Sequence, residues 1–411
     1  MQFSLHSWPK AVAHIDADAF FAACERALNP ALNGKCVVVG KEHGIITALS
    51  YEAKAKGLRR GMRMFEAKKI HPGVIIIESD YETYSLFSVR MFSILKSFSP
   101  EVEEYSIDEA FLDLTGLRRL FSCSYEGLAK KIQSRIEGEL SISVSVGISI
   151  TKTLAKIASK LKKPRGITVI EGKDIENYIK NVPIEDVWGI GHNTSSLLRK
   201  FGINSALDFA LKDERFVNRY LSKPYKETWL ELRGKPVLSL DSSTKSSYKT
   251  ISKTKTFYPP SNNETFLFSE LTKNLENACL KARRFNLAAI KLTVFLKTQD
   301  FKTYGAEIKL SSSASLPPML MEAMRKGFNE VYYKSYLYRQ TGVVLHLTGN
   351  IQYCLFDDMT RIEKITRLYD SIDGINKKIG RNSVYLAPCM QGVANEGRGQ
   401  RTNIPVMEIK V

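Results

Sequence analysis

The decapeptide EYSIDEAFLD, residues 104–113, sets two adjacent carboxylates, Asp108 and Glu109, in a run that is otherwise mostly apolar or small. Burying ionised carboxylates costs several kcal/mol each unless a cation compensates, so an arginine or a metal ion should meet them. A second acidic cluster, Asp16 and Asp18 in HIDADAFF, closes an apolar run at residues 11–15 that reads as a buried strand. Ends of nonadjacent strands can meet in an α+β sheet, which would bring Asp16 beside Asp108 and Glu109. Three carboxylates on one spot repel one another and raise their own pKa values. Two Mg²⁺ ions, about 3.5 to 4 Å apart, relieve that repulsion and form the clamp used for in-line phosphoryl transfer. The simpler reading of each acid alone is a turn or helix cap.

The rest of the composition narrows the chemistry. Cysteines at 24, 36, 123, 279, 354 and 389 are too scattered for a zinc site and too few for a disulfide framework, and the six histidines show no ligand spacing. Any metal should therefore be hard and held by oxygen. Sixty Lys and Arg against 43 Asp and Glu give a formal charge of +17, which argues for a polyanionic partner, nucleic acid before an anionic membrane. No apolar run approaches the roughly 20 residues of a membrane span, and the first residues lack a signal peptide's pattern, so a soluble, intracellular protein is expected.

The elements that must carry the acids alternate between strand and helix, an α+β pattern. After the first strand a helix is expected over DAFFAACERAL, then strands at CVVVG and GIITALS, a helix over 81–98 and a strand pair over 101–114. SISVSVGISI, at 141–150, alternates Ser with Ile or Val and predicts a further strand. This is one catalytic body to about residue 170, with an insertion between about 22 and 80. Residues 183–211 read as two short helices around a Gly-Ile-Gly turn, and a Ser, Thr and Lys-rich linker follows. Beyond it the order is strand, helix, strand, strand, helix, strand, in a segment, 241–350, with sixteen basic and eight acidic residues. One more helix is expected at 358–379.

HIDADAFFAACERALNP followed by SIDEAFLD resembles the Y family of DNA polymerases, the translesion enzymes that include bacterial DNA polymerases IV and V. LSYEAKAKGLRRGM at 49–62, VGISITKTLAKIASKLKKPRG at 146–166 and VWGIGHNTSSLLRKFGI at 187–203 match as well, so the resemblance spans residues 11 to about 350. VWGIG and TKTLAK are similar to the polymerase V branch, the length and the KKP-x-G ending to polymerase IV, and no subclass follows. The resemblance implies a right-hand α+β multidomain fold. Its parts are a palm at 1–20 and 81–172, fingers at 21–80 and a helical thumb with a helix-hairpin-helix at 173–240. A linker at 241–250, a βαββαβ little finger at 251–350 and a tail at 351–411 complete it. It further implies a monomeric, cytoplasmic, nucleoid-associated enzyme without proofreading, which extends a DNA primer with dNTPs past damaged template bases. The primer hydroxyl, activated at one Mg²⁺, attacks the α-phosphorus and pyrophosphate leaves on the other.

Carried over residue by residue, the resemblance makes Asp16, Asp108 and Glu109 the metal ligands, with the Ala17 carbonyl completing one shell and Asp18 structural. Phe21 matches the steric gate against ribose, and Tyr51, Lys54 and Lys156 match positions that hold the incoming triphosphate. Gly189, Gly191 and Thr194 belong to the DNA-binding hairpin, and Gln352, Leu355 and Phe356 of QYCLF resemble the peptide that docks on the bacterial sliding clamp. The plainer readings are a core phenylalanine, solvated lysines, loop glycines and a chance pentapeptide. Three positions depart from the family pattern. Lys54 stands where Arg is common, Ala48 where Thr is common, with Thr47 beside it, and Lys160 where polymerase IV relatives have Asp. A cyclase or nuclease on a similar palm is a rival, though a cyclase needs no duplex track; a noncatalytic DNA-binding protein would have no need of all three acids.

Overall fold

The computed structural model describes residues 8–41, 44–243, 248–349, 358–380 and 382–394. The chain divides into two compact units between Ser243 and Thr244. Among the described residues the first unit has strands β1 (Val12–Ala17), β2 (Val37–Val39), β3 (Ala48–Leu49), β4 (Ile75–Ile77), β5 (Val102–Glu104), β6 (Glu109–Asp113), β7 (Val144–Ser149) and β8 (Ile167–Val169). Five of them form one sheet in the order β5-β6-β1-β7-β8, with β1 antiparallel to both neighbours.

Every residue of β1 is buried, because helices cover both faces of the sheet. Strand side chains alternate between faces, so β1 splits into two sets. Ala13, Ile15 and Ala17 pack with Tyr84, Met91 and Leu95 of the helix Tyr81–Lys96 and with Leu128 and Ile132 of the helix Tyr125–Leu140. Val12 packs on the opposite side with Phe111 and Ala155, the latter on the helix Lys152–Leu161. His14 and Asp16 share that second side. Each of these three helices starts where a side-chain oxygen can accept one of its otherwise unpaired first amides. Asp80 takes the Thr83 amide at 3.2 Å, Ser124 the Gly127 amide at 3.1 Å and Thr151 the Leu154 amide at 3.3 Å. At Gly147 in β7 the helix Lys152–Leu161 comes so close that a Cβ would lie 2.2 Å from both the Ala155 carbonyl oxygen and the Ser159 nitrogen.

Strands β3, β2 and β4 form a small separate sheet whose core holds Val38, Ile46, Leu49, Ala53, Leu58 and Met64. GIITALS forms only a two-residue strand, and Thr47 just before it donates both its amide and its hydroxyl to the Val39 carbonyl, at 2.9 and 2.8 Å. Residues beyond 172 add a helical region around Ile184, Ile190, Leu198, Ile203, Phe209 and Trp229. Fully buried Glu231 fastens it to the catalytic sheet's helix by accepting the Thr153 amide at 3.0 Å.

The second unit has β9 (Thr250–Ser261), β10 (Ala288–Thr298), β11 (Thr303–Ala314) and β12 (Tyr338–Thr348) in the antiparallel order β11-β10-β12-β9. The helices Glu264–Arg284 and Pro317–Val331 supply Leu267, Leu271, Leu275, Met324 and Phe328 to its core. The expected βαββαβ order is observed. Residues 358–380 and 382–394 are a further layer: the helix Met359–Ile379 joins the helix Glu264–Arg284 through Asp373, which takes two hydrogen bonds from Arg283 at 2.9 and 2.8 Å. Leu386 and Cys389 both donate to Glu276, at 3.0 and 3.2 Å, and Lys273 donates to the Gly392 carbonyl at 2.9 Å. The described cysteines are free thiols. No helix among the described residues is long and apolar enough to cross a membrane.

Candidate active site

The register of β1 against β6 pairs Asp16 with Glu109, and the Ala17 amide donates to the Asp108 carbonyl at 2.9 Å. The two acid clusters thus lie on neighbouring strands and not on nonadjacent ones. In an antiparallel pair the end of one strand faces the start of the other, which is why acids 92 positions apart in Asp16 and Asp108 meet.

Each carboxylate has a partner. Lys163 donates to Asp16 Oδ1, Lys156 Nζ lies 2.6 Å from Glu109 Oε2, and the Ser106 hydroxyl donates to Asp108 Oδ1 at 2.6 Å. The compensating cations are lysines, not arginine. Each acid is held by its own neighbour, and no three His, Cys, Asp or Glu side chains among the described residues converge closely enough to hold a metal ion. The strands gather the three acids, and Asp16 and Glu109 are each neutralised by their own lysine while Asp108 accepts from a hydroxyl. Burial raises the Asp16 pKa to about 6, against the pull of Lys163 and with help from Glu109 and Asp108.

Behind this front lies a buried network. Burial, then Lys156, holds the His14 pKa well below its usual value, so the imidazole is neutral. Its Nε2 accepts from Lys156 at 3.4 Å and its Nδ1 donates to the Ser159 hydroxyl at 2.7 Å, the tautomer assigned by that network. Asp18, 2% exposed, accepts from the Ser145 hydroxyl and from the Arg165 amide, each at 2.8 Å, and from the Tyr51 hydroxyl at 3.4 Å. It therefore fastens the turn that carries Lys163.

Tyr51 opens a short helix capped by Ser50, and Lys54 on the same helix holds its ammonium 4.1 Å from the Tyr51 ring. Burial and then Asp18 raise the Tyr51 pKa, while burial and then Lys163 lower that of Lys54. Phe21, half-buried on the helix Phe20–Leu28, stacks on Tyr84 at 4.3 Å and 18°. Lys156 is 6% exposed and faces the interior. Lys163, one-quarter exposed, is the cation on Asp16 and was not singled out from the sequence. Its signal was the KKP-x-G ending, where the proline stops the helix and sends the chain back past Asp16.

Family models match in three places: the impB/mucB/samB family at residues 15–160, the HHH motif of the same family at 172–203 and its C-terminal domain at 248–348. DNA polymerase IV of Dehalococcoides mccartyi is 30% identical over 383 residues, 91% of this chain and 96% of that one. This chain belongs to the Y family of translesion DNA polymerases. Similar as well are DNA polymerase IV of Desulfatibacillum aliphaticivorans, 29% identical over 93% of this chain and 98% of the relative, and protein ImpB of Salmonella typhimurium, 28% identical over 94% of each. Among solved structures, a Y-family DNA polymerase chimera superposes with a TM-score of 0.70 at 26% identity, covering 84% of this chain and all of the chimera. DinB from Sulfolobus solfataricus gives 0.53 at 26% identity, covering 82% of this chain and 98% of that one. As a Y-family polymerase the chain is a DNA-directed DNA polymerase acting on primer-template DNA and dNTPs with a divalent metal.

The hairpin of this polymerase turns at Gly189, whose φ of +88° suits glycine, and Gly191 starts the helix His192–Lys200 without a side-chain cap. No cap side chain therefore competes for the first amides of that helix. Thr194 donates its hydroxyl to Tyr225 at 2.8 Å, which ties the helix to the one at Lys223–Leu232. Gln352, Leu355 and Phe356 lie outside the described residues.

Proposed function

We propose that Asp16, Asp108 and Glu109, with the Ala17 carbonyl, hold two Mg²⁺ ions for template-directed extension of a DNA primer. The observation that carries this reading is the cross-strand pairing of Asp16 with Glu109, with Asp108 adjoining. Oxygen-only donors suit a hard cation, and the burial of Asp16 beside two other acids makes added positive charge welcome. When bound, the ions would supply charge stabilisation to the attacking hydroxyl, the transferred phosphoryl and the departing pyrophosphate. The chain's own residues do the rest. Lys163 and Lys156 would turn their charge to phosphate once ions take over Asp16 and Glu109, with Tyr51 beside them through Asp18 and Lys54 over the Tyr51 ring. Phe21, its ring fixed flat on Tyr84, is the steric gate against ribose.

The palm spans 1–20 and 81–172, the fingers 21–80, the thumb 173–240, the linker 241–250, the little finger 251–350 and the tail 351–411. Gly189, Gly191 and Thr194 form the part of the thumb that engages the duplex backbone, so binding is independent of sequence. The sequence offers no second acidic constellation for a nuclease, and synthesis is of low fidelity without proofreading. The enzyme works as a monomer in the bacterial cytoplasm, at the nucleoid, and Gln352, Leu355 and Phe356 dock it on the sliding clamp. Primer extension tests the core of this reading: wild-type protein extends a primed template with Mg²⁺, and Asp108→Ala abolishes extension while DNA binding persists. Extension by Asp108→Ala at the wild-type rate would refute it.

A further inference from the structure

Two functional segments of the first unit meet where Trp188 lies against Tyr105. Trp188 immediately precedes Gly189, Ile190 and Gly191 of the hairpin, and Tyr105 immediately precedes the turn Ser106-Ile107-Asp108 that leads into β6. The Trp188 indole N–H donates to the Tyr105 hydroxyl at 3.0 Å, and the two rings meet edge to face with centroids 5.4 Å apart. An indole nitrogen can only donate, so the Tyr105 oxygen is the acceptor and the arrangement has one sense.

The turn on the Tyr105 side is tight. The amides of Tyr105 and Ser106 both donate to the Glu109 carbonyl at 3.1 Å, and the Ser106 hydroxyl holds Asp108. Displacing Tyr105 therefore displaces the backbone of Glu109 and the side chain of Asp108 together. The Trp188 side is fixed too. Its ring lies 5.6 Å from Phe111, which sits in β6 itself, and the ammonium groups of Lys152 and Lys156 each lie 5.8 Å from it. Those ammonium groups are not mobile surface charges: Lys152 is paired with Glu103 at 2.6 Å and Lys156 with Glu109 at 2.6 Å. Lys156 also stands 4.8 Å from the Tyr105 ring. Both aromatic residues thus bear on one cation that bears on Glu109.

We propose that Tyr105 and Trp188 are positioning residues that couple the hairpin to the catalytic turn, so that a DNA backbone seated at Gly189 and Gly191 sets Asp108 and Glu109 for the metal ions. This rests on the reading of those acids as metal ligands. Neither aromatic residue need touch DNA, nucleotide or metal. The link predicts that chemistry responds to its loss while DNA affinity does not.

The test is single-turnover primer extension by the full chain carrying Tyr105→Phe, Trp188→Phe or both, each change keeping a ring and deleting one side of the hydrogen bond. Each single variant should slow the chemical step on the order of ten-fold and raise the Mg²⁺ concentration needed for half the maximal rate. The double variant should be no slower than the slower single one, because one bond is lost in all three. Affinity for primer-template should stay within about two-fold of wild type, as a purely structural or DNA-contacting role would not allow. Additive losses, an unchanged rate, or a loss explained entirely by weaker DNA binding would overturn the link. Asp108→Ala run beside them separates the two claims: if it still extends, the carboxylate assignment fails, whereas its inactivity together with additive Phe variants condemns the link alone.

Discussion

At the scale of the residue, the site is a set of acids waiting on lysine. Asp16 has its pKa raised to about 6 by burial, above the ordinary carboxylate value of 3.8. A raised acid binds its proton more tightly folded than unfolded, so its ionisation costs folding stability above about 6 and that cost vanishes as pH falls towards 3.8. Metal binding has the opposite preference, since only the ionised group is a ligand. The Mg²⁺ concentration for half-maximal extension should therefore rise steeply as pH drops below about 6, approaching ten-fold per unit for one proton. Mg²⁺ titrations of extension at pH values on either side of that point check this; a flat dependence would mean that Asp16 ionises at its ordinary value or is not a ligand.

At the scale of the element, the site depends on how closely one helix lies on one sheet. The helix Lys152–Leu161 carries Lys156, and Gly147 of β7 lets it approach. Gly147→Ala would drive a methyl group into the backbone of that helix at Ala155 and Ser159, costing about 1–3 kcal/mol by overpacking. Lys156 would also shift away from Glu109. The variant should melt several degrees lower and extend primers more slowly; a wild-type melting curve would show that the helix yields without strain. Much of this level was legible in the sequence. The helix expected at 358–379 is observed at Met359–Ile379, and Asp358, which takes the Arg361 amide at 3.0 Å, shows why it starts there. Asp16, Asp108 and Glu109 were legible as a group because acids in apolar runs demand a common explanation. Their oxygens' partners were not, because Lys156 and Lys163 reach them by tertiary contact and lysines are read by default as solvated. Nor was the adjacency of β1 and β6, since strand order leaves no mark on either strand's own pattern. The packing of residues 358–380 and 382–394 was hidden for a related reason: it uses Glu276, Arg283 and Lys273, polar side chains on a helix whose apolar stripe was already spoken for by the sheet.

At the scale of the whole molecule, the formal charge of +17 sets how the enzyme meets DNA. Contacts from Lys and Arg to phosphate release counterions, so affinity for primer-template should fall by about a hundred-fold or more between roughly 50 and 200 mM salt, with similar slopes for unrelated sequences. Fluorescence anisotropy at stepped salt concentrations measures this, and a slope near zero would remove phosphate as the main ligand of the basic surface. The layer made by residues 358–380 and 382–394 bears on a different property. Gln352, Leu355 and Phe356 fall between β12, which ends at Thr348, and the helix that begins at Met359, and both of those elements belong to one folded body. The pentapeptide is thus a segment leashed at either end to the same anchor, unlike a dangling terminus. A partner that took hold of it would be joined through both flanks to the second unit, so a pull on the pentapeptide would reach the whole of that unit.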